Sequence, residues 1–231
     1  MDKVDIALDI WNESLCKKIS VGELFSRNPV VHKWKAPFRT LLLRESISWR
    51  LHDLLYQSKV LSDSGHLLGA RILLRSSFET LALLVYLNNL MTGVVKGNLS
   101  YSEFSNKTTK MLLGSRNKST SYDSINILTI ITKADKKYQG ILKSYEELSE
   151  SVHPNYEGLS KGYSEMDHIE YETTFSNRWC AIFSKKHNDR IALCIDTFVE
   201  EYNKVWDSAF NELESWMEKN DEELEVQRDE A

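Results

Sequence analysis

The sequence contains two sets of polar residues spaced four positions apart, and apolar residues border each set. The first set is Arg71, Arg75 and Glu79, within ARILLRSSFET. Positions four apart drift only about 40° around an α-helix, so these side chains share one helical face. A guanidinium in apolar surroundings is costly unless it is paired; Glu79 is the obvious partner for Arg75, which leaves Arg71 to find one elsewhere. Two interpretations stay open: a structural ion pair that fixes helix register, or a desolvated arginine that binds a phosphate or carboxylate.

The second set is Tyr145, Ser149 and His153 within YEELSESVHP. Pro154 cannot continue a helix, which places His153 at or near a helix C-terminus, where the helix dipole favours an imidazolium. His153 is therefore either a residue that ends a helix or a member of a second polar stripe bordering the core.

Facing polar stripes build sites in the cores of helical bundles. If these two stripes face each other, Arg75 would anchor a phosphate and His153 would donate a proton. The candidate catalytic residues are His153, Arg75 and Glu79, and the candidate binding residues are Arg71, Ser149 and Tyr145.

An alternative catalytic pair is Arg27 and His32, within RNPVVH. The pattern is short enough to arise by chance. The competing interpretation has Asn28 cap a short helix that begins with Pro29 and is closed by Pro37, and it leaves both basic side chains on the surface.

Other chemistries lack their signatures. The sequence contains no glycine-rich phosphate loop, no HExxH, no GxSxG elbow and no Cys/His metal spacing, so we expect no metal and no cofactor. Its three cysteines show no CxxC spacing, which favours reduced thiols. The amphipathic N-terminal segment does not have the pattern of an export signal, and the most apolar run is short and interrupted by Asn88 and Asn89. We expect a cytoplasmic protein without membrane contact.

The elements that must position these residues are helices. The chain has few prolines and glycines, and its apolar residues recur at spacings of three and four. The segment LALLVYL is apolar on all sides, which is typical of a helix buried at the centre of a bundle. Ser64 is a candidate cap for that central helix. The predicted helices are 4–18, 38–61, 65–92, 101–113, 123–136, 139–153 and 178–219, with 154–177 irregular.

The last of these helices carries an apolar stripe from Ile191 to Trp216 at a spacing of about 3.5, which is more often core docking than a dimer seam. Residues 212–231 hold nine acidic and two basic side chains, whereas residues 101–143 are basic. Such charge runs are usually solvated surface, although a basic stretch can also face phosphates. We therefore predict an all-α helical bundle over residues 1–219, with a buried central helix, a long C-terminal helix and a disordered acidic tail at 220–231.

The segments RSSFETLALLVYL and, about seventy positions later, LSESVHPN resemble uncharacterised bacterial helical proteins at the edge of the HEPN superfamily. The resemblance covers residues 40–160. It implies a helical bundle, often dimeric, that binds or cleaves RNA or a nucleotide without a metal, in a bacterial antiphage defence or toxin system. The superfamily signature, Arg-x(4–6)-His, is matched in spacing only by Arg27 to His32, away from its usual place at the start of the last bundle helix.

A function of another class stays open beside the ribonuclease. In that alternative the polar stripes are structural, and the chain is a non-catalytic adaptor or scaffold subunit. Its long C-terminal helix and acidic tail would then bind a protein partner or a second copy of the chain.

Overall fold

The computed structural model describes residues 2–229 of the chain, with side chains for residues 2–226. Across that range the only sheet is a two-stranded one, and the rest of the regular structure is helical, so the prediction of an all-α helical bundle is confirmed. The α-helices are α1 (Lys3–Ser14), α2 (Val21–Arg27), α3 (Lys35–Asp63), α4 (Leu67–Val95), α5 (Tyr101–Leu113), α6 (Ile127–Asp135), α7 (Ile141–Val152), α8 (Trp179–Phe183), α9 (His187–Val199), α10 (Trp206–Lys219) and α11 (Asp221–Asp229). The strands are β1 (Ser164–Asp167) and β2 (Glu172–Phe175).

The described residues group into two compact units, each built from three stretches of the chain. The first unit contains residues 2–14, Trp49–Ala82 and Ile131–Thr197, and the second contains Leu15–Ser48, Leu83–Ile130 and residues 198–229. Helices α3 and α4 contribute residues to both units. That residues 1–219 form a single domain stays a prediction.

Helix α4 is the predicted central helix, and its burial confirms that prediction. Leu74, Phe78 and Leu81 in the first unit, and Leu84, Leu87 and Met91 in the second, are fully buried. By length and composition α4 could cross a membrane, but 67% of its most apolar window is buried inside the protein. A core helix of a soluble protein has the same character.

The break between α3 and α4 is made by Gly65, not by Ser64. Gly65 has a φ of 79°, and its N–H donates to the Ser62 carbonyl at 3.1 Å, while the His66 N–H donates to the Leu61 carbonyl at 2.8 Å. This pair of bonds is a Schellman ending, which needs the left-handed backbone that glycine adopts freely. The proposed Ser64 cap was wrong because α4 begins only at Leu67.

The segment 154–177, predicted to be irregular, contains a π-helix over Tyr156–Lys161 and an antiparallel hairpin of β1 and β2. All the strand side chains are at least partly exposed. No alternation of buried apolar and exposed polar residues therefore marks these four-residue strands in the sequence.

The N-terminal part of the second unit also differs from the prediction at both prolines. Asn28 is the C-cap of α2, and its Oδ1 accepts from the N–H groups of Val30 and Val31 at 3.1 Å. The short helix that follows is the 3₁₀ turn Val31–Lys33, whose N-cap is Val30, so the predicted Asn28 cap was wrong. Pro29 therefore precedes the turn. Pro37 lies in the first turn of α3, where its missing N–H would have no helical partner, so it helps to begin a helix rather than end one.

The acidic tail was predicted to be disordered, but most of it is helical as α11; residues 230 and 231 lie outside the described range. Lys33 binds Asp221 at 2.6 Å and Glu225 at 2.7 Å, and Leu224 is buried. These contacts offset the repulsion between the carboxylates of α11. The acidic residues in its first turn also interact favourably with the helix dipole.

The long C-terminal helix predicted over 178–219 is a helical run with two changes of pitch. A 3₁₀ turn, Ser184–Lys186, separates α8 from α9, and a π-helix over Glu200–Val205 joins α9 to α10. The predicted apolar stripe is buried at Ile191, Ile195, Phe198, Ala209 and Leu213. Those positions dock into the core, as the more common interpretation of such a stripe predicts.

Candidate functional site

The two polar stripes face each other in the first unit. Arg71 on α4 contacts Ser151 of α7, and Arg75, one turn later on α4, contacts Ser149 and Tyr145, which precede Ser151 on α7. Residue numbers that increase along α4 are paired with residue numbers that decrease along α7, so the two helices run antiparallel. The sequence left this juxtaposition open, and the structure supplies it.

Arg75 is held by three groups of the two stripes. Its Nε donates to Ser149 Oγ at 2.9 Å, its Nη2 donates to Tyr145 Oη at 2.5 Å, and its Nη1 lies 3.2 Å from Glu79 Oε1. The guanidinium also sits 4.7 Å from the centre of the Tyr145 ring. These partners fix the plane of the guanidinium before any ligand arrives.

The hydroxyl hydrogens around Arg75 point away from it, which leaves the oxygens as acceptors. Ser149 Oγ donates to the Tyr145 carbonyl at 2.8 Å, and Tyr145 Oη donates to Glu79 Oε1 at 3.2 Å. A guanidinium carries five N–H groups, and the three contacts of Arg75 use one at each nitrogen. Two N–H groups remain, on a side chain that is 24% exposed. This arrangement can accept a phosphate or carboxylate oxygen from solvent.

Arg71 has the opposite environment. It is 2% exposed; its Nε donates to Ser151 Oγ at 2.7 Å, and its Nη2 reaches the Glu147 carbonyl at 3.0 Å and Glu157 Oε1 at 3.3 Å. Burial lowers the pKa of Arg71 to about 10, against the raising effect of Glu157. The guanidinium also packs 4.5 Å from the centre of the Phe183 ring. Arg71 is therefore integrated into the core of the first unit.

Several residues of this polar network were not singled out from the sequence. Ser151 Oγ donates to Glu157 Oε1 at 3.0 Å, and Arg190 forms an ion pair with Glu147. The one signal that pointed to them was Arg71 itself, which had no partner on its own helix. The partners of Arg71 lie within α7 and just after its C-terminus. They are far from Arg71 in the sequence, so no local spacing relates them to it.

His187 adds a buried imidazole to the first unit. It is 1% exposed, its Nε2 lies 3.1 Å from Ser58 Oγ, and its Nδ1 has no hydrogen-bond partner. Ser58 Oγ also donates to the Ala70 carbonyl at 2.8 Å. Burial, and after it the charge of Arg71, lowers the pKa of His187 to about 4, so the ring is neutral at pH 7. No motif in the sequence marks this histidine.

His153 occupies the C-cap of α7 and is exposed, which confirms that it ends a helix. Its carbonyl accepts from the Asn155 N–H at 2.8 Å. His153 lies four positions after Ser149, which is about 6 Å along a helix axis. Among the described residues, no hydrogen bond or ion pair joins its side chain to Arg75, so the structure brings Arg75, Glu79, Tyr145 and Ser149 together and leaves His153 one turn away.

Arg27 and His32, the alternative pair, lie in the second unit and are bound to different groups. Arg27 donates to Glu214 at 2.8–2.9 Å and to Asn211 at 2.5 Å, and the hydrogen bond that Glu214 accepts raises the pKa of Arg27. His32 Nδ1 donates to the Pro29 carbonyl at 2.7 Å. Within the described residues, no hydrogen bond connects the two side chains.

Among the described residues, no group of three or more His, Cys, Asp or Glu side chains is placed to hold a metal ion. Comparison with family models, with curated proteins and with solved structures finds no significant match. The function must therefore be argued from the geometry of the site itself.

Proposed function

We propose that this chain is a HEPN-like protein that binds RNA or a nucleotide through the polar face shared by α4 and α7. The observation that carries the proposal is Arg75: a partly exposed guanidinium, oriented by Ser149, Tyr145 and Glu79, with two N–H groups left for a ligand. A phosphate offers matching acceptor oxygens in the plane of such a fork. The proposed setting, a bacterial antiphage defence or toxin system in the cytoplasm, rests on the resemblance of the sequence.

In the catalytic version of the proposal, RNA is cleaved at a phosphate held by Arg75. The 2′-hydroxyl oxygen attacks phosphorus and gives up its proton to water, the bond from phosphorus to the 5′-oxygen breaks, and His153 protonates that oxygen as it leaves. Glu79 orients Arg75. This version needs His153 to reach the phosphate from one turn away, whereas the binding version needs only the groups already assembled around Arg75.

The test is incubation of the purified protein with total RNA in EDTA, with wild type compared to H153A, R75A and H32A on one gel. The catalytic version predicts cleavage by wild type and H32A, and loss of cleavage in H153A and R75A. The binding version predicts intact RNA in every lane, together with an RNA mobility shift that R75A abolishes. Cleavage lost only in H32A would move the site to Arg27 and His32 and overturn the proposal.

The adaptor alternative is a second proposal, favoured by the acidic helix α11, whose Glu222 and Glu223 are exposed. The apolar stripe of the long C-terminal helix is largely buried, so of the predicted partner-binding surface only this acidic face is exposed. Removing residues 212–231 would also remove buried Leu213 and Met217, so charge reversal in the full chain is the sharper test. A second copy bound through α11 predicts a dimer mass in light scattering that E222K with E223K reduces to a monomer; a wild-type monomer would contradict self-association.

A further inference from the structure

The hairpin of β1 and β2 exposes an unusual amount of apolar surface. Four large apolar side chains on it are strongly exposed: Met166 at 58%, Ile169 at 84%, Tyr171 at 88% and Phe175 at 79%. Isolated two-stranded hairpins are marginally stable in water, because they bury too little on either face. The exposed apolar side chains of this hairpin are therefore those expected of a sheet that is completed by a binding partner.

Its turn is nevertheless well defined. Asp167 Oδ1 accepts from the N–H groups of Ile169 at 2.7 Å and Glu170 at 3.1 Å, and these bonds lower the pKa of Asp167. Tyr171 completes the turn with a φ of 58°, in the left-handed region. At the other end, Arg178 donates to the Ser164 carbonyl at 2.5 Å and pairs with Glu165 at 2.9 Å. The strands are thus held in position at both ends.

The register gives the hairpin two chemically different faces. Ser164 lies opposite Phe175 and Met166 opposite Thr173, so these four residues share one face, which carries both apolar side chains of the two strands. The other face carries the remaining four positions, three of which are carboxylates: Glu165, Asp167, Glu172 and Thr174.

One edge of this small sheet is open. All four side chains of β2 are exposed, and among the described residues no hydrogen bond joins the β2 backbone to any element except β1. The β1 edge is more occupied, because that strand packs against the π-helix and gives the Ser164 carbonyl to Arg178. An edge strand directs every second N–H and C=O outward, ready to pair with another extended segment.

We propose that the open β2 edge binds an extended segment of a partner protein in which basic and apolar side chains alternate. A strand added beside β2 would point alternate side chains to the two faces. Apolar side chains of the added strand would lie beside Phe175, while basic ones would lie beside Glu172; Met166 and Asp167 are on the same two faces, one strand further away. The alternation required of the partner follows directly from the register of the hairpin.

A second copy of this hairpin is the wrong occupant on charge grounds. Two β2 edges paired symmetrically would bring the carboxylate faces of both copies together, and like charges opposite each other across strands are destabilising. A basic segment turns the same carboxylates into attractive partners. The β2 edge therefore disfavours a second copy of the hairpin and favours a cationic strand.

The probe is a labelled eight-residue peptide that alternates lysine with valine, titrated into the full chain and followed by fluorescence anisotropy. Two control peptides replace lysine by glutamate or valine by serine. The lysine–valine peptide should bind, more weakly at high salt, and should slow hydrogen exchange at β2 amides in a ¹⁵N-labelled sample. The glutamate peptide should not bind, and the serine peptide should bind at least about ten-fold more weakly, because it loses several cross-strand apolar contacts.

The variants F175K and E172K should each weaken binding of the lysine–valine peptide by about ten-fold, whereas Y156K, at an aromatic residue that is 74% exposed outside the hairpin, should leave it unchanged. Equal melting temperatures will show that all three variants are folded. Equal binding of the glutamate peptide, or no change at β2 amides, overturns the proposal. A dimer in sedimentation velocity that F175K dissociates would assign the edge to a second copy instead and also overturn it.

Discussion

Two arginines one helical turn apart on α4 have opposite environments. Around Arg71 the chain closes completely: the side chain is 3% exposed and its partners come from the middle of α7, its last turn and the segment that follows. Around Arg75 the side chain is 24% exposed and its neighbours are two hydroxyls and one carboxylate that is itself 25% exposed.

The difference shows that a polar stripe can serve two purposes along its length. A buried guanidinium with full hydrogen bonding stabilises the packing of α4 against α7, since removing it would leave the partner groups unpaired. A guanidinium that is oriented but not fully bonded can bind a ligand. We infer that Arg71 holds the helices in the register that gives Arg75 its orientation.

The largest expected effect comes from replacing the buried arginine. R71M should lower the free energy of unfolding by about 3–5 kcal/mol, because it leaves the Glu157 carboxylate and the Ser151 hydroxyl without their buried partner. R75M should cost about 1 kcal/mol or less, as is usual for exposed ion pairs. Urea unfolding of both variants measures the difference. Equal losses of stability would break the comparison.

The next effect is a dependence of stability on pH through His187. Its pKa is about 4 in the folded protein and about 6.5 when unfolded, so the unfolded chain binds a proton more readily. Stability should be complete above pH 6.5 and fall as the pH drops towards 4, by about 1.5 kcal/mol between pH 6.5 and 5. The groups around the ring are Arg71, Arg190, Asp63 and Ser58.

The control for that dependence is H187L, which keeps an apolar volume at the buried position and removes the titrating group. Unfolding in urea at several pH values should show a smaller slope for H187L than for wild type between pH 6.5 and 5. Carboxylates that titrate in the same range contribute equally to both proteins. Identical slopes would contradict the assignment to His187.

A smaller effect is expected at Glu157, the charged partner of Arg71. E157Q keeps an acceptor oxygen for Arg71 and Ser151 but removes the charge, so it should cost about 1–2 kcal/mol. This loss should be smaller than that of R71M and should vanish in an R71M background, as a double-mutant cycle would reveal. Additive losses would mean that Glu157 acts elsewhere.

The smallest effect on stability is expected for Y145F. The variant keeps the buried ring under the guanidinium but deletes the oxygen that accepts from Arg75, and it should cost about 1 kcal/mol or less. The free energy of RNA binding should weaken by more than the free energy of unfolding, because Arg75 loses one of the partners that orient it. Titration of a labelled RNA and urea unfolding of the same sample compare the two effects; unchanged affinity would show that Tyr145 does not orient the site.

Much of the first unit could be predicted because its signals are local in sequence. The stripes at 71–79 and 145–153 follow from spacing, and the helix end at His153 follows from Pro154. Their antiparallel juxtaposition could not be predicted, since about seventy residues separate the stripes and periodicity says nothing about which helices pack together. For the same reason Ser151, Glu157 and Arg190 were missed.

The errors in the prediction have physical causes of a similar kind. Residues 221–229 were predicted to be disordered from charge alone, but Lys33, nearly two hundred positions away, pairs with two of their carboxylates. Ser64 and Pro37 were misassigned because a residue near a helix boundary can end one helix or begin another, depending on backbone angles that the sequence does not specify. Residues 164–175 form a hairpin without any buried face to mark it.

The most direct test of the central claim, that Arg75 is available to a ligand, is RNA binding by R75Q. R50Q is the matched control, since Arg50 is an exposed arginine whose Nε donates to Thr80 at 3.3 Å in the same unit. With a fluorescent single-stranded RNA at fixed salt, we predict that R75Q loses binding while its melting temperature stays within a few degrees of wild type, and that R50Q binds normally. If R75Q and R50Q bind the RNA as tightly as wild type, Arg75 is only another part of the packing, and the proposed site is wrong.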